Sequence, residues 1–291
     1  MFFVSGITGQ VGGAAARLLL AGGHAVRTLA RDPRKAAAWS QKGVDVRRGD
    51  FSDAAAVAAA MEGVEGAYLM LPPLLAPAPG FPEAKAIIES FREALRRAPP
   101  PRLVVLSSIG SQQSSGLGLI TTTHLLEQAL CDLPFPTAFL RAGSFLENYT
   151  FSLKAAASTG WFDTYRSPTD RPVPMIATED IGKEVARRLV GGWSGKLIVE
   201  LGSPMSPDDL ARAMSEALGR PVKARSIPRA QWTARLEARG MAPGTTGPFE
   251  EMEDSFNSGW IDFGVPGAER VAATVTPAQV FAHARKAGVG I

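Results

Sequence analysis

The chain has 291 residues, 45% hydrophobic and 20% charged, which is enough apolar material for one large domain or for a domain with an added lobe. Its 31 basic and 28 acidic residues leave a formal charge of +3, and the short basic clusters at 31–35, 47–48, 96–97 and 187–188 are scattered. That pattern lacks the basic and aromatic stripe of a nucleic-acid binder. The single cysteine, Cys131, excludes an internal disulfide and a cysteine-rich metal site.

Elements read in chain order alternate between short apolar runs and longer helical patterns. Phe2, Phe3 and Val4 form a first strand, with no basic leader before them, and residues 11–20 a helix. A strand at 25–30 and a helix at 33–41, opened by Pro33, follow. Next come a short strand at 44–46, an alanine-rich helix at 53–61 capped by Asp53 or Ser52, and a strand at 67–71. A proline-rich loop leads to a helix at 83–97. Residues 103–106 are continuously apolar, as in a strand buried on both faces. A helix at 121–130, a strand at 137–140, a helix at 178–190 and a strand at 196–201 extend the order. Cys131 continues the apolar pattern of Leu126 and Leu130 and is expected to be buried. No apolar run approaches the ~18 residues of a membrane span, so a cytoplasmic protein is expected.

This order requires a parallel sheet with right-handed crossovers. The predicted fold class is α/β: a Rossmann-type doubly wound parallel sheet with a smaller C-terminal α+β lobe. Residues 1–150 form the dinucleotide-binding domain, continued by about 176–201. Residues 151–175 and 202–291 form the lobe, with helices at 207–218 and 277–287 and a loop at 241–249.

Gly6, Gly9 and Gly12 follow the first strand and open the first helix, together with Thr8, Gln10 and Val11. Glycine there permits a tight turn, close approach of a pyrophosphate and close helix–strand packing, and the helix N-terminus offers unpaired N–H groups. A nucleotide cofactor is therefore expected. Its identity is read at the end of the second strand, where NAD binders place an acid on the ribose hydroxyls. Here Arg31 comes first, Asp32 follows, and Lys35 lies one turn on. Two cations suit a 2′-phosphate, so NADP(H) is expected over NAD(H).

Six segments resemble the NmrA-like group of atypical short-chain dehydrogenases/reductases. They are Val4-Ser-Gly-Ile-Thr-Gly-Gln-Val-Gly12, Val26-Arg-Thr-Leu-Ala-Arg-Asp-Pro33, Gly49-Asp-Phe-Ser-Asp53, Val104-Val-Leu-Ser-Ser-Ile109, Leu140-Arg-Ala-Gly-Ser-Phe-Leu-Glu-Asn148 and Ile176-Ala-Thr-Glu-Asp-Ile181. The resemblance implies that Asp50 meets the adenine with Phe51 beside it. It implies that Leu71, Pro72 and Pro73 line the ribose and pyrophosphate. Ser107, Ser108, Ile109, Ala142, Gly143 and Phe145 would border the nicotinamide. Ala142 stands where many members have proline. Members include NADPH:quinone oxidoreductases, azoreductases and dinucleotide-binding redox sensors.

The proton relay of short-chain reductases, a tyrosine with a lysine four residues on, has no counterpart. Beyond Tyr68, Tyr149 and Tyr165 stand Pro72, Leu153 and Thr169. The expected function is therefore hydride transfer from NADPH to a quinone-like, azo or other conjugated electrophile, which needs positioning more than acid catalysis. The alternative is a non-catalytic NADPH-binding redox-sensing regulator. His124 is either a proton donor or an ordinary helix histidine. Trp161, Phe162, Tyr165, Phe249 and Trp260 are either a wall for an aromatic small-molecule substrate or the core of the lobe. No metal site is expected, and a monomer or homodimer is equally compatible with the sequence.

Overall fold

The computed structural model describes residues 1–288. Its strands and helices run β1 (Phe2–Val4), α1 (Gln10–Ala21), β2 (Val26–Ala30), α2 (Ala37–Ser40), β3 (Asp45–Arg48), α3 (Ala54–Met61), β4 (Gly66–Leu69), α4 (Pro82–Arg97), β5 (Leu103–Ser108), α5 (Thr121–Leu130) and β6 (Thr137–Ala142). They continue with β7 (Ser144–Phe145), α6 (Leu153–Thr159), β8 (Trp161–Thr164), β9 (Val173–Ile176), α7 (Thr178–Gly191) and β10 (Lys196–Leu201). The rest is β11 (Ser203–Met205), α8 (Pro207–Leu218), β12 (Lys223–Ser226), α9 (Trp232–Ala238), α10 (Gly247–Ser258), β13 (Glu269–Val271) and α11 (Pro277–Lys286).

Eight strands form one parallel sheet in the order β13-β10-β6-β5-β4-β1-β2-β3. Strand order reverses between β1 and β4, which is the switch point where open α/β sheets bind ligands beyond their strand ends. Alternation along the strands builds two cores. Val4, Val104 and Leu140 face one side, with Val11 and Ala15 of α1 and Ile181 and Val185 of α7. Phe3, Val105 and Phe139 face the other, with Val57 of α3, Phe91 of α4 and Leu126 of α5. A period of two in the strands meets helices on both faces, as a doubly wound sheet requires.

The smaller lobe has its own cores. Leu146, Leu153, Phe162, Met175, Leu210, Met214, Phe256 and Phe281 belong to one, and Tyr165, Ile227, Trp232 and Leu236 to another. A three-stranded sheet (β11-β9-β7) and a parallel pair (β12-β8) complete it.

Several expectations are corrected. The helix at 33–41 is a 3-10 turn, Pro33–Ala36, followed by one α-helical turn, Ala37–Ser40, and Asp32 caps its start by accepting from the Arg34 N–H at 3.1 Å. The loop at 241–249 ends early: α10 opens at Gly247 with Pro248 in its first turn, so Phe249 is helical. Cys131 is exposed rather than buried, since α5 stops at Leu130 and the cysteine stands past its packed face. Residues 269–271, expected in the lobe, pair with β10 as the edge of the main sheet.

Candidate functional site

The first turn is shaped by glycine where backbone atoms crowd. Gly6 has φ +63°, and its carbonyl accepts the Gly9 N–H at 2.8 Å. A Cβ on Gly12 would stand 2.5 Å from the carbonyl oxygens of both Ser5 and Gly6, so α1 can lie this close to β1 only without one. Gly9 caps α1 with no side-chain cap behind it, and the first turn carries no acid. Thr8, Gly9 and Gln10 are exposed, while Val11 and Gly12 are buried. The first-turn N–H groups of α1 have no intrahelical partner and no side-chain cap, and the residues present fit a pyrophosphate. The Ser5 Oγ accepts the Met70 N–H at 3.0 Å, tying β1 to the end of β4 at the switch point.

Beyond β2, Arg31 and Lys35 are both exposed. Asp32 is turned into its own turn: its carboxylate accepts from Arg34 Nε at 2.9 Å and Nη2 at 3.1 Å, and Arg34 holds the carboxyl below the usual range. The acid that could have favoured a free ribose is thus occupied, and the cations are available. Asp50 accepts from the N–H and hydroxyl of Ser52 at 2.9 and 2.7 Å, which lowers its carboxyl, and it lies 3.8 Å from Arg31 Nε. The structure therefore brings Asp50 to Arg31. Phe51 packs edge-on to Phe91 of α4, with ring centroids 5.6 Å apart. Leu71 and Pro72 are half-buried and Pro73 is exposed, on the loop leaving β4.

At the ends of β5 and β6, Ile109, Ala142 and Gly143 are buried, and Ser108 and Phe145 are half-buried. Ser107 takes a different place from the one expected. It is 3% exposed, and its hydroxyl donates to Glu127 Oε1 and lies 3.1 Å from Ser111 Oγ. Successive residues of a strand point to opposite faces, so Ser107 turns toward α5 while Ser108 does not.

Glu127 was not singled out by the sequence, nor was its partner Arg141. Arg141 donates from Nε to Glu127 Oε1 at 2.9 Å and from Nη2 to Oε2 at 2.6 Å, and each side chain is 7% exposed. Ser111 Oγ continues to Thr123 Oγ1 at 2.8 Å. An arginine inside the otherwise apolar run 138–142 was the available signal. Two other carboxylates had been seen only as parts of motifs. Glu147 accepts the Thr178 N–H at 2.9 Å and its hydroxyl at 2.6 Å, so it caps α7. Asp180 accepts the N–H groups of Thr274 and Val275, both at 2.7 Å. Burial raises its carboxyl, but these bonds and the Thr274 hydroxyl outweigh burial and leave it below the usual range.

His124 is half-buried, with Nδ1 2.9 Å from the Ser111 carbonyl, so Nδ1 carries the proton and Nε2 is the free nitrogen. The five aromatic residues do not share one wall. Phe162 is 1% exposed inside the lobe core, and Tyr165 packs edge-on to Phe249 at 5.2 Å and to Trp232 at 5.5 Å. Trp161 is exposed on β8 beneath Arg225, and Trp260 donates from Nε1 to the Ser115 carbonyl at 2.8 Å. Aromatic residues clustered in sequence are divided here by alternation along β8 and by the turn after α10.

The chain is 27% identical over 248 residues to "Quinone oxidoreductase 2" of Escherichia coli, covering 84% of each chain. It is 24% identical over 293 residues to the "NAD(P)H azoreductase" of Xenophilus azovorans, covering 99% of this chain and 97% of the relative. The crystal structure of an NADPH-dependent quinone oxidoreductase from Escherichia coli, complexed with NADPH, superposes with a TM-score of 0.80 at 24% identity, covering 97% of this chain and 99% of that one. The model of the NmrA-like family matches residues 2–260, and the chain belongs to that family.

Proposed function

We propose that the protein binds NADP(H) and transfers hydride from it to a quinone-like, azo or other conjugated electrophile. The observation that carries this reading is the outward-facing, glycine-shaped turn after β1, followed at the end of β2 by exposed Arg31 and Lys35 with Asp32 turned away. The backbone N–H groups of residues 10–12, at the start of α1, would hold the pyrophosphate, and Arg31 and Lys35 the 2′-phosphate. The bound dinucleotide supplies hydride. Ser108, Ile109, Ala142, Gly143 and Phe145 would wall the nicotinamide, and Asp50 would meet the adenine.

The nature of the acceptor rests on two supports. One is the lack of a Tyr-x-x-x-Lys pair, which suits an acceptor whose own electrophilicity draws the hydride while water supplies the proton. The other is that the relatives are named as quinone and azo reductases. Incubation with NADPH and a panel of quinones and azo dyes tests the reading, with loss of dihydronicotinamide absorbance as the signal. Turnover above the protein-free blank is expected. Tight NADPH binding with no turnover on any acceptor would overturn it in favour of a redox-sensing regulator, which the missing pair also suits.

A further inference from the structure

The segment that follows α10 reaches back to the β5–α5 loop. Residues 259–265 leave the lobe and lie against residues 109–118, the loop that opens with Ile109 at the expected nicotinamide wall. Each segment supplies groups to the other. Gln112 Nε2 donates to the Asp262 carbonyl at 2.9 Å, and Gln113 Nε2 to the Trp260 carbonyl at 3.4 Å. In return Trp260 Nε1 donates to the Ser115 carbonyl at 2.8 Å. Between these bonds Ile261 is buried in the same core as Ile109. It lies so close that a Cβ on Gly110 would stand 2.9 Å from Ile261 Cγ2. At the far end of the loop, a Cβ on Gly118 would stand 1.9 Å from the Pro248 carbonyl oxygen of α10.

Both segments are also fastened to the main sheet by one row of buried side chains. Ser107, Arg141 and Glu200 are register partners on β5, β6 and β10, and partners in a parallel sheet point to the same face. Arg141, besides its pair with Glu127, has Nη1 3.4 Å from Gln112 Oε1. Glu200 Oε1 accepts the N–H groups of Gly264 and Val265 at 2.8 and 3.0 Å. Residues 259–265 therefore form a strap, held to the sheet at one end and to the loop at the other. Gln112 bonds to both the strap and the row.

A loop that leaves a strand is ordinarily among the more mobile parts of a fold, and this one is tied from two sides. Hydride transfer without a tyrosine–lysine relay draws its rate from the placement of the two reactants, and a misplacement of about 1 Å can cost ~100-fold. We propose that Gln112 and Trp260 are positioning residues, which lock the β5–α5 loop to the strap and so fix Ile109 against the nicotinamide. The proposal rests on the hydride-transfer reading above. Trp260 then acts through the Ser115 carbonyl rather than as a wall for the substrate, and the C-terminal segment has a task at the cofactor.

The test uses the full chain with Gln112→Ala and Trp260→Phe combined. Both residues are exposed, so the fold should persist, and phenylalanine keeps an aromatic surface while removing the donor. Amide hydrogen exchange without dinucleotide should be about tenfold faster over residues 109–118 in the variant than in wild type. In single turnovers with a quinone, the rate of NADPH oxidation should fall about tenfold, while the NADPH dissociation constant stays within about twofold. Glu200→Ala frees the strap at its other end, removes no group of the loop, and should shift exchange and rate the same way. Glu200→Gln keeps an acceptor for the Gly264 and Val265 N–H groups and should stay near wild type. Exchange or hydride rate equal to wild type in the double variant overturns the proposal, as does a loss of rate matched by a loss of NADPH affinity. If wild type binds NADPH but reduces no acceptor, the hydride-transfer reading alone fails. The emission of the bound dihydronicotinamide, which brightens when the ring is held still, then decides. Dimmer emission on the double variant supports the strap, and equal emission overturns it.

Discussion

Glu127 on α5 grips Arg141 on β6 through both of its oxygens, at 2.9 and 2.6 Å, beneath the segments expected to wall the nicotinamide. Both side chains are buried, and Ser107 donates to the same carboxylate. Breaking a buried pair by removing one partner leaves an uncompensated charge. Glu127→Ala should therefore destabilise the fold by about 3–5 kcal/mol in urea unfolding, whereas Glu127→Met combined with Arg141→Met should cost much less. Equal losses for the single and double variants would count against this account.

Gly9 and Gly12 should separate binding from folding. A Cβ on Gly12 meets two carbonyl oxygens at 2.5 Å, so Gly12→Ala should cost about 3 kcal/mol of stability. A Cβ on Gly9 meets only the Gly6 carbonyl oxygen at 3.2 Å, and Gly9 has φ −88°, which alanine adopts freely. Gly9→Ala should keep its melting temperature while raising the NADPH dissociation constant about tenfold, because the methyl stands over the phosphate donors. Unchanged affinity would place the pyrophosphate elsewhere.

Arg31 is free of Asp32, which Arg34 occupies, and lies 3.8 Å from Asp50. Arg31→Glu should raise KM for NADPH about tenfold or more and leave that for NADH nearly unchanged, since only NADPH carries the 2′-phosphate. Steady-state kinetics with both dinucleotides decide it. A parallel rise for both removes the assignment.

His124 holds its Nδ1 proton on the Ser111 carbonyl. If water is the proton source, His124→Ala should leave the pH profile of kcat in place and lower stability by about 1 kcal/mol through the lost hydrogen bond. Disappearance of a limb of that profile would make the histidine an acid.

Asp180 sets a pH limit on the docking of the C-terminal segment. Its folded pKa lies below the unfolded value, so its stabilisation is complete above the unfolded pKa of about 3.9 and is lost as pH falls through the folded one. Acid titration of wild type should therefore show stability falling below about pH 4, and Asp180→Asn should flatten that limb. An acid limb identical in the variant would assign the loss to other carboxylates.

The alternation of apolar runs and helices was legible in the sequence, as was the glycine turn. Both depend on neighbours a few residues apart: a turn needs a positive φ, a helix start exposes its own N–H groups, and strand periodicity is two. The sequence therefore determined the doubly wound class and the place of the glycine turn that opens α1. It did not reveal that Glu127 belongs to Arg141, fourteen residues on, or Glu253 to Arg166, eighty-seven residues back. Nor did it reveal that residues 269–271 would close the edge of the main sheet, or that Trp161 and Phe162 would part to opposite faces of β8. Those outcomes depend on register and on which helix crosses which strand. A buried charge must be met wherever the packed chain happens to bring a partner, so only the tertiary structure decided them.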